Sequence, residues 1–157
     1  MPCLFISFLL FYLNMGGFYK VLEHTADIGV EAVGNNFAEA LEYASKGLIS
    51  IMVNTKDIET FETRDICLEA DDKESLVIKW LNEILFYFDS ESFICKKTEI
   101  KEIEKCDDNY KIQGLFLGKC FDAKSDNMLV HVKAITYHQL SVITQKENVT
   151  IKVFFDI

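Results

Sequence analysis

KKTEIKEIEKCDDNYKIQGLFLG, residues 96–118, sets two runs of strand-forming sequence on either side of the turn Asp107-Asp108-Asn109. Asp and Asn tolerate the backbone that a tight reversal needs, so the stretch predicts a β-hairpin. Downstream, HVKAITYHQLSVIT (131–144) and VTIKVFFDI (149–157) are long alternating runs joined by a turn at Lys146–Asn148, and they predict further strands. From Phe93 on the chain is strand, and its helices must come earlier.

Working back from the hairpin, residues 71–91 carry a helical period. Leu76, Val77, Trp80, Leu81, Ile84, Leu85 and Phe88 fall on one face, with Asp71 and Glu74 in the spacing of a capping box. Residues 57–70 are strand-like. Before them Asn36 and Glu39 repeat the capping pattern ahead of a second face made by Phe37, Ala40, Leu41, Ala44, Leu48, Ile51 and Met52. Phe18–Glu23 and Ile28–Val33 predict two short strands, the second with Ile28, Val30 and Ala32 at period two. The expected fold is α+β and two-layered, with two amphipathic helices packed on a mostly antiparallel β-sheet.

The 157 residues suit one domain, half of them hydrophobic and thirteen of them phenylalanine. A formal net charge of −9 opposes independent binding to RNA or to an anionic membrane, because affinity for polyphosphate comes from clustered Lys and Arg. Such a surface suits cations and basic protein partners. Cys3, Cys67, Cys95, Cys106 and Cys120 are odd in number, widely spaced and lack a CxxC pair, which points to neither a disulfide framework nor a zinc site. Gly16-Gly17, Gly114 and Gly118 form no strand–glycine–helix unit that could cradle phosphates.

MPCLFISFLLFYLN, residues 1–14, is the one compositional break. Its apolar run is too short to span a bilayer as a helix, no basic residue precedes it, and no small-x-small cleavage site follows. The expectation is a hydrophobic extension at 1–14, dispensable or absent from the native protein, ahead of a single domain at 15–157 that starts at Met15. A membrane-directing leader is the lesser alternative.

Two places hold candidate chemistry. LEHTADIGVEAVG (22–34) interrupts a strand pattern with His24, Thr25 and Asp27, and the sequence ends at Asp156-Ile157. A side-chain carboxylate beside an α-carboxylate supplies hard oxygens of the kind calcium and magnesium prefer, and Asp27, at an element boundary, is a candidate third donor. Each residue also has an ordinary structural role open to it. An aspartate at a strand boundary often caps or turns the backbone, and His24 can be a hydrogen-bonded structural imidazole. In an unbroken strand, His131 and His138 fall on opposite faces, while Lys133 and Tyr137 share the face of His131. Spacing alone leaves function open.

Four separated blocks narrow it. HTADIG (24–29) followed by VEAVG, WLNEILFYFDSE (80–91), KAITYHQL (133–140) and the ending VFFDI together resemble the archease family, in order and over the chain from Tyr19 to Ile157. The resemblance implies a non-catalytic activator of the RtcB-type, GTP-dependent RNA ligase of tRNA splicing, promoting formation of the ligase–guanylate intermediate and multiple turnover. It implies a divalent cation, calcium, held by Asp27, Asp156, the carboxylate of Ile157 and, from GKCFD, Asp122. The last match is loose, since the family's segment carries E-x-x-D after glycine and this chain has Lys119 in place of the acid. His24, Thr25, Lys133, Tyr137 and His138 are then the groups expected to orient the carboxylates or to meet the ligase. The implied partner is that ligase, with no stable direct RNA binding and no membrane, in the cytoplasm and, in a eukaryote, also the nucleus. The rivals from other classes are an independent metal-dependent hydrolase and a small chaperone-like binding protein.

Overall fold

A computed structural model describes residues 16–23 and 26–157. His24, Thr25 and the expected 1–14 extension with its start at Met15 lie outside the described residues. Within them run β1 (Phe18–Glu23), β2 (Ile28–Gly34), α1 (Phe37–Met52), β3 (Glu62–Ala70), α2 (Lys73–Glu91), β4 (Phe93–Cys106), β5 (Asn109–Cys120), β6 (Ala134–Thr144) and β7 (Val149–Asp156). The fold is α+β, and every strand pair is antiparallel.

The strands divide into two sheets. One has the order β1-β2-β7-β6 and the other β3-β5-β4. The β4–β5 hairpin closes on the two-residue turn Asp107-Asp108, with Cys106 opposite Asn109 and Asp107 in the left-handed region at φ 52°. β3 adds to the free side of β5, and the segment 121–133 then carries the chain away so that β6 pairs with β7 in the other sheet. Each helix lies against both sheets: α1 packs on β1, β2 and β7 and on β4, and α2 packs on β6 and on β3, β4 and β5. The apolar faces expected of the helices are the buried ones, Phe88 alone being half-buried. A single hydrophobic cluster runs from Val30 and Ile151 through Leu48 and Trp80 to Ile112 and Phe116. Among the described residues no helix is long and apolar enough to cross a membrane.

Both helix starts differ in detail from the sequence pattern. Asn36 caps α1, its Oδ1 accepting from Glu39 N at 2.9 Å, but the Glu39 carboxylate reaches past it to Asn35 N at 2.5 Å. The cap of α2 is Asp72 rather than Asp71, and the reciprocal partner is Ser75 rather than Glu74. Asp72 Oδ1 accepts from Ser75 N at 2.7 Å, and Ser75 Oγ accepts from Asp72 N at 3.2 Å. A shift of one residue lets the shorter serine close the box. Hydrogen bonds from the Ser75 side chain and backbone hold the Asp72 carboxyl below the usual carboxylate range. Asp72→Ala is expected to lower the unfolding free energy by about 1 kcal/mol in a denaturant titration at neutral pH. Because the folded pKa is depressed, that contribution is present above the ordinary carboxylate pKa of about 4 and disappears as pH falls through the folded value, so wild type and variant converge in acid.

Candidate functional site

The order β1-β2-β7-β6 brings three chain segments to one end of the four-stranded sheet. β1 and β2 are joined there by residues 24–27, since Glu23 is the register partner of Ile28. The β2–β7 ladder ends with Ile28 opposite Phe155, leaving Asp27 and Asp156 one residue beyond the last rung on neighbouring antiparallel strands. β6 arrives from the other side of β7, with Ala134 opposite Asp156 and Lys133 N donating to Asp156 O at 2.8 Å. Asp27 is half-buried, whereas Asp156 and Ile157 are exposed. Antiparallel pairing thus joins residues more than a hundred positions apart, and it places Lys133 beside them.

Tyr137 and His138 stand in a different setting. The strand expected over 131–144 begins only at Ala134, so the parity assigned to His131 and Lys133 does not hold. It is interrupted as well: Thr136 pairs with Phe154 and the next rung is Ser141 with Lys152, so that Tyr137–Leu140 face a single residue of β7. Gln139 at φ 56° makes this excursion. Tyr137 and His138 are exposed on it, Tyr137 to 62%. His131, outside the strand, has Nε2 3.7 Å from Asp89 Oδ1 of α2.

Asp122 opens a turn of its own. Its Oδ1 accepts from Lys124 N at 3.0 Å and its Oδ2 from Ser125 Oγ at 3.2 Å. The loop is organised around Asp126, a residue the sequence reading missed. Asp126 Oδ1 lies 2.8 Å from Lys119 Nζ, Oδ2 accepts from Asp122 N at 2.7 Å, and the side chain is 4% exposed. Burial pushes the Asp126 carboxyl up, but the Lys119 ammonium and the Asp122 N–H outweigh it and hold it below its ordinary value. The signal was present in GKCFD: a lysine where an acid was expected needs a counter-charge, and Asp126 supplies it.

For a hard divalent cation the donors at the sheet end are chemically suitable, since the two aspartates offer oxygen only. Among the described residues no three His, Cys, Asp or Glu side chains are grouped as a metal ion requires, so Asp122 does not join Asp27 and Asp156 in such a group. The fit therefore rests on those two aspartates. Elsewhere, Cys95 is buried in β4 and its thiol is pushed up to about 12 by desolvation, the opposite of an activated nucleophile.

The sequence pattern of the Archease protein family (MTH1598/TM1083) matches residues 19–157. Proteins named archease from Methanosarcina barkeri and Sulfurisphaera tokodaii are 31% and 35% identical to the chain. The first match covers 92% of this chain and 99% of that protein, the second 79% and 87%. The solution structure of protein 1598 of Methanobacterium thermoautotrophicum superposes with a TM-score of 0.76 at 26% identity, over 88% of this chain and 98% of that one. A Thermotoga maritima crystal structure, described as an archease and possible chaperone, shares the fold at a TM-score of 0.56 and 23% identity, over 88% and 96% of the two chains. The end of the four-stranded sheet that carries Asp27 and Asp156 lies inside the matched region, and the chain belongs to the Archease protein family.

Proposed function

We propose that this protein is a non-catalytic activator of an RtcB-type, GTP-dependent RNA ligase, promoting ligase guanylylation and repeated turnover in tRNA splicing. One observation carries the reading: Asp27 of HTADIG and Asp156 of VFFDI, the aspartates of two family motifs, follow the last rung of the β2–β7 ladder together. Asp27, Asp156 and the Ile157 carboxylate are the groups that would hold a divalent cation, calcium by the family resemblance, which would neutralise their mutual repulsion and offer a coordination link to the partner. Asp122 would be a more distant acidic group. Lys133, tied through its backbone to Asp156, sets the position of the β7 end, and the exposed Tyr137 and His138 are available to the ligase, as His24 and Thr25 of the same motif would be.

The net charge of −9 favours encounter with the electropositive cleft of an RNA-processing enzyme and disfavours stable binding to RNA itself. Repeated cycling requires release, so the complex is transient and its association slows with salt. A cytoplasmic partner, or a nuclear one in a eukaryotic cell, follows from the same reading. Among the described residues only Phe61, Phe86 and Tyr137 are exposed aromatic side chains, so the described surface offers little aromatic area for a general chaperone.

The test measures ligase guanylylation and RNA joining with the protein absent, present at a substoichiometric level, and replaced by Asp27→Ala. Expected are silence of the protein alone, stimulation of the ligase by wild type, and loss of stimulation in Asp27→Ala with an unchanged circular dichroism spectrum. A variant as active as wild type would sink the assignment of the site. Hydrolysis by the protein alone, or protection of unrelated clients from aggregation without any effect on the ligase, would replace the activator reading.

A further inference from the structure

The carboxylate end of the four-stranded sheet is small for a recognition surface. Its groups are the exposed Asp156 and Ile157 and the half-buried Asp27, whereas a specific protein–protein contact takes about 500–800 Å² from each partner. The surface that continues from it runs along residues 129–133 and α2. Lys133 N donates to Asp156 O at 2.8 Å, and from Lys133 backward the exposure alternates. Lys133, His131 and Leu129 are exposed, with Val132 buried and Val130 half-buried between them. α2 lies beside this segment. Asn82 Oδ1 accepts from Ile135 N at 3.4 Å, and Asp89 Oδ1 lies 3.7 Å from His131 Nε2. Phe86 falls between these two anchors on the same stripe of the helix, four residues after Asn82 and three before Asp89. Neither apolar group along the strip is covered: Phe86 is 56% exposed, and Leu129, two residues before His131, is 54% exposed.

We infer that Phe86 and Leu129 are an apolar anchor, continuous with the carboxylate end, for the same protein partner. The inference rests on the activator reading, and the occupant is the ligase of that reading: an electropositive cleft receives the carboxylates, and an apolar lip beside the cleft receives Phe86 and Leu129. The span is compatible with one contact. Leu129 stands four residues from Lys133, roughly 13 Å along an extended segment, and a standard interface of about 800 Å² per partner is roughly 30 Å across. The two parts of the footprint act at different stages. Charge on the carboxylate end attracts at a distance, whereas apolar groups gain only when contact excludes water, so Phe86 and Leu129 slow dissociation and set affinity. A few well-placed side chains of this kind, rather than total area, decide how tightly a partner is held. Phe61, 73% exposed just before β3 of the other sheet, lies outside the footprint.

Titration of the full chain into the ligase, read by guanylylation, tests the inference with Phe86→Ala, Leu129→Ala and, as an exposed apolar control, Phe61→Ala. Circular dichroism melts accompany each variant, and all three positions are exposed enough for the fold to persist. Expected is a rise of roughly fivefold to tenfold in the half-stimulating concentration for Phe86→Ala and a smaller rise for Leu129→Ala, with maximal stimulation unchanged. Phe61→Ala matches wild type. Half-stimulating concentrations indifferent to both substitutions, an equal rise in Phe61→Ala, or a loss of maximal stimulation at an unchanged half-stimulating concentration overturns the anchor and leaves the activator reading in place. Absence of stimulation by wild type overturns both.

Discussion

Gly118→Ala is expected to destabilise the protein by at least about 3 kcal/mol and to lower its melting temperature by roughly 6–12 °C. Gly118 sits in β5, the centre of the three-stranded sheet, opposite Cys95 beside the bulge between Cys95 and Lys97. A Cβ at this position would lie 1.8 Å from Ile94 O, 2.8 Å from Ile94 C and 3.1 Å from Cys95 Cα. All three are main-chain atoms, so no rotamer change relieves the clash and β4 must move away from β5. Gly118 O also accepts from Phe61 N at 2.9 Å, so the displacement strains the approach to β3. Backbone freedom plays no part, because no described glycine has a positive φ. Thermal melts followed by circular dichroism read the effect, and a variant melting within a degree or two of wild type would show that β4 yields without loss.

Trp80→Ala removes the largest fully buried side chain and is expected to cost about 3–5 kcal/mol. Trp80 crosses from α2 to β5 to meet Phe116 edge-on at 4.9 Å, and its ring fills the space over Gly114, where a Cβ would stand 2.8 Å from Trp80 Cη2. Its Nε1–H donates to Ser45 Oγ at 3.0 Å, and that hydroxyl donates in turn to Leu41 O at 2.8 Å, so one buried relay ties α2 to α1. Ser45→Ala leaves the indole N–H unpaired in an apolar setting and costs about 1–3 kcal/mol. The two effects are not additive, since in the absence of the indole the serine has no donor to serve. Chemical denaturation of both variants and their double mutant measures the coupling. Equal losses for Trp80→Ala and Ser45→Ala would mean that ring burial matters less than the relay.

The helices and the hairpin were legible because their signals are local. Leu76, Trp80 and Ile84 recur at the helical period, and Asp107-Asp108 marks the hairpin turn. The division into two sheets was not legible, since alternation along β5 or β7 identifies an inward face without naming the strand alongside. The choice of Asp72 over Asp71 as cap was a competition between adjacent equivalent residues, decided by the reach of Ser75. KAITYHQLSVIT reads as unbroken because an excursion at Gln139 needs no glycine or proline to announce it. At the sheet end, the proximity of Asp27 to Asp156 follows from the order β1-β2-β7-β6, and spacing alone could only nominate each residue. The pairing of Lys119 with Asp126 shows the complementary limit: sequence revealed an unexpected charge but not the residue that would answer it.

The excursion at Tyr137–Leu140 also bears on how this molecule behaves in a crowd. Among the described strands, β6 and β1 are the outermost of the four-stranded sheet. Propagation of a sheet from molecule to molecule needs two borders whose main-chain donors and acceptors lie in line, and the interruption between Thr136 and Ser141 takes β6 out of line. A strand out of line is a poor template for the strand of another molecule, so the irregularity of β6 works against edge-to-edge association on this side of the sheet.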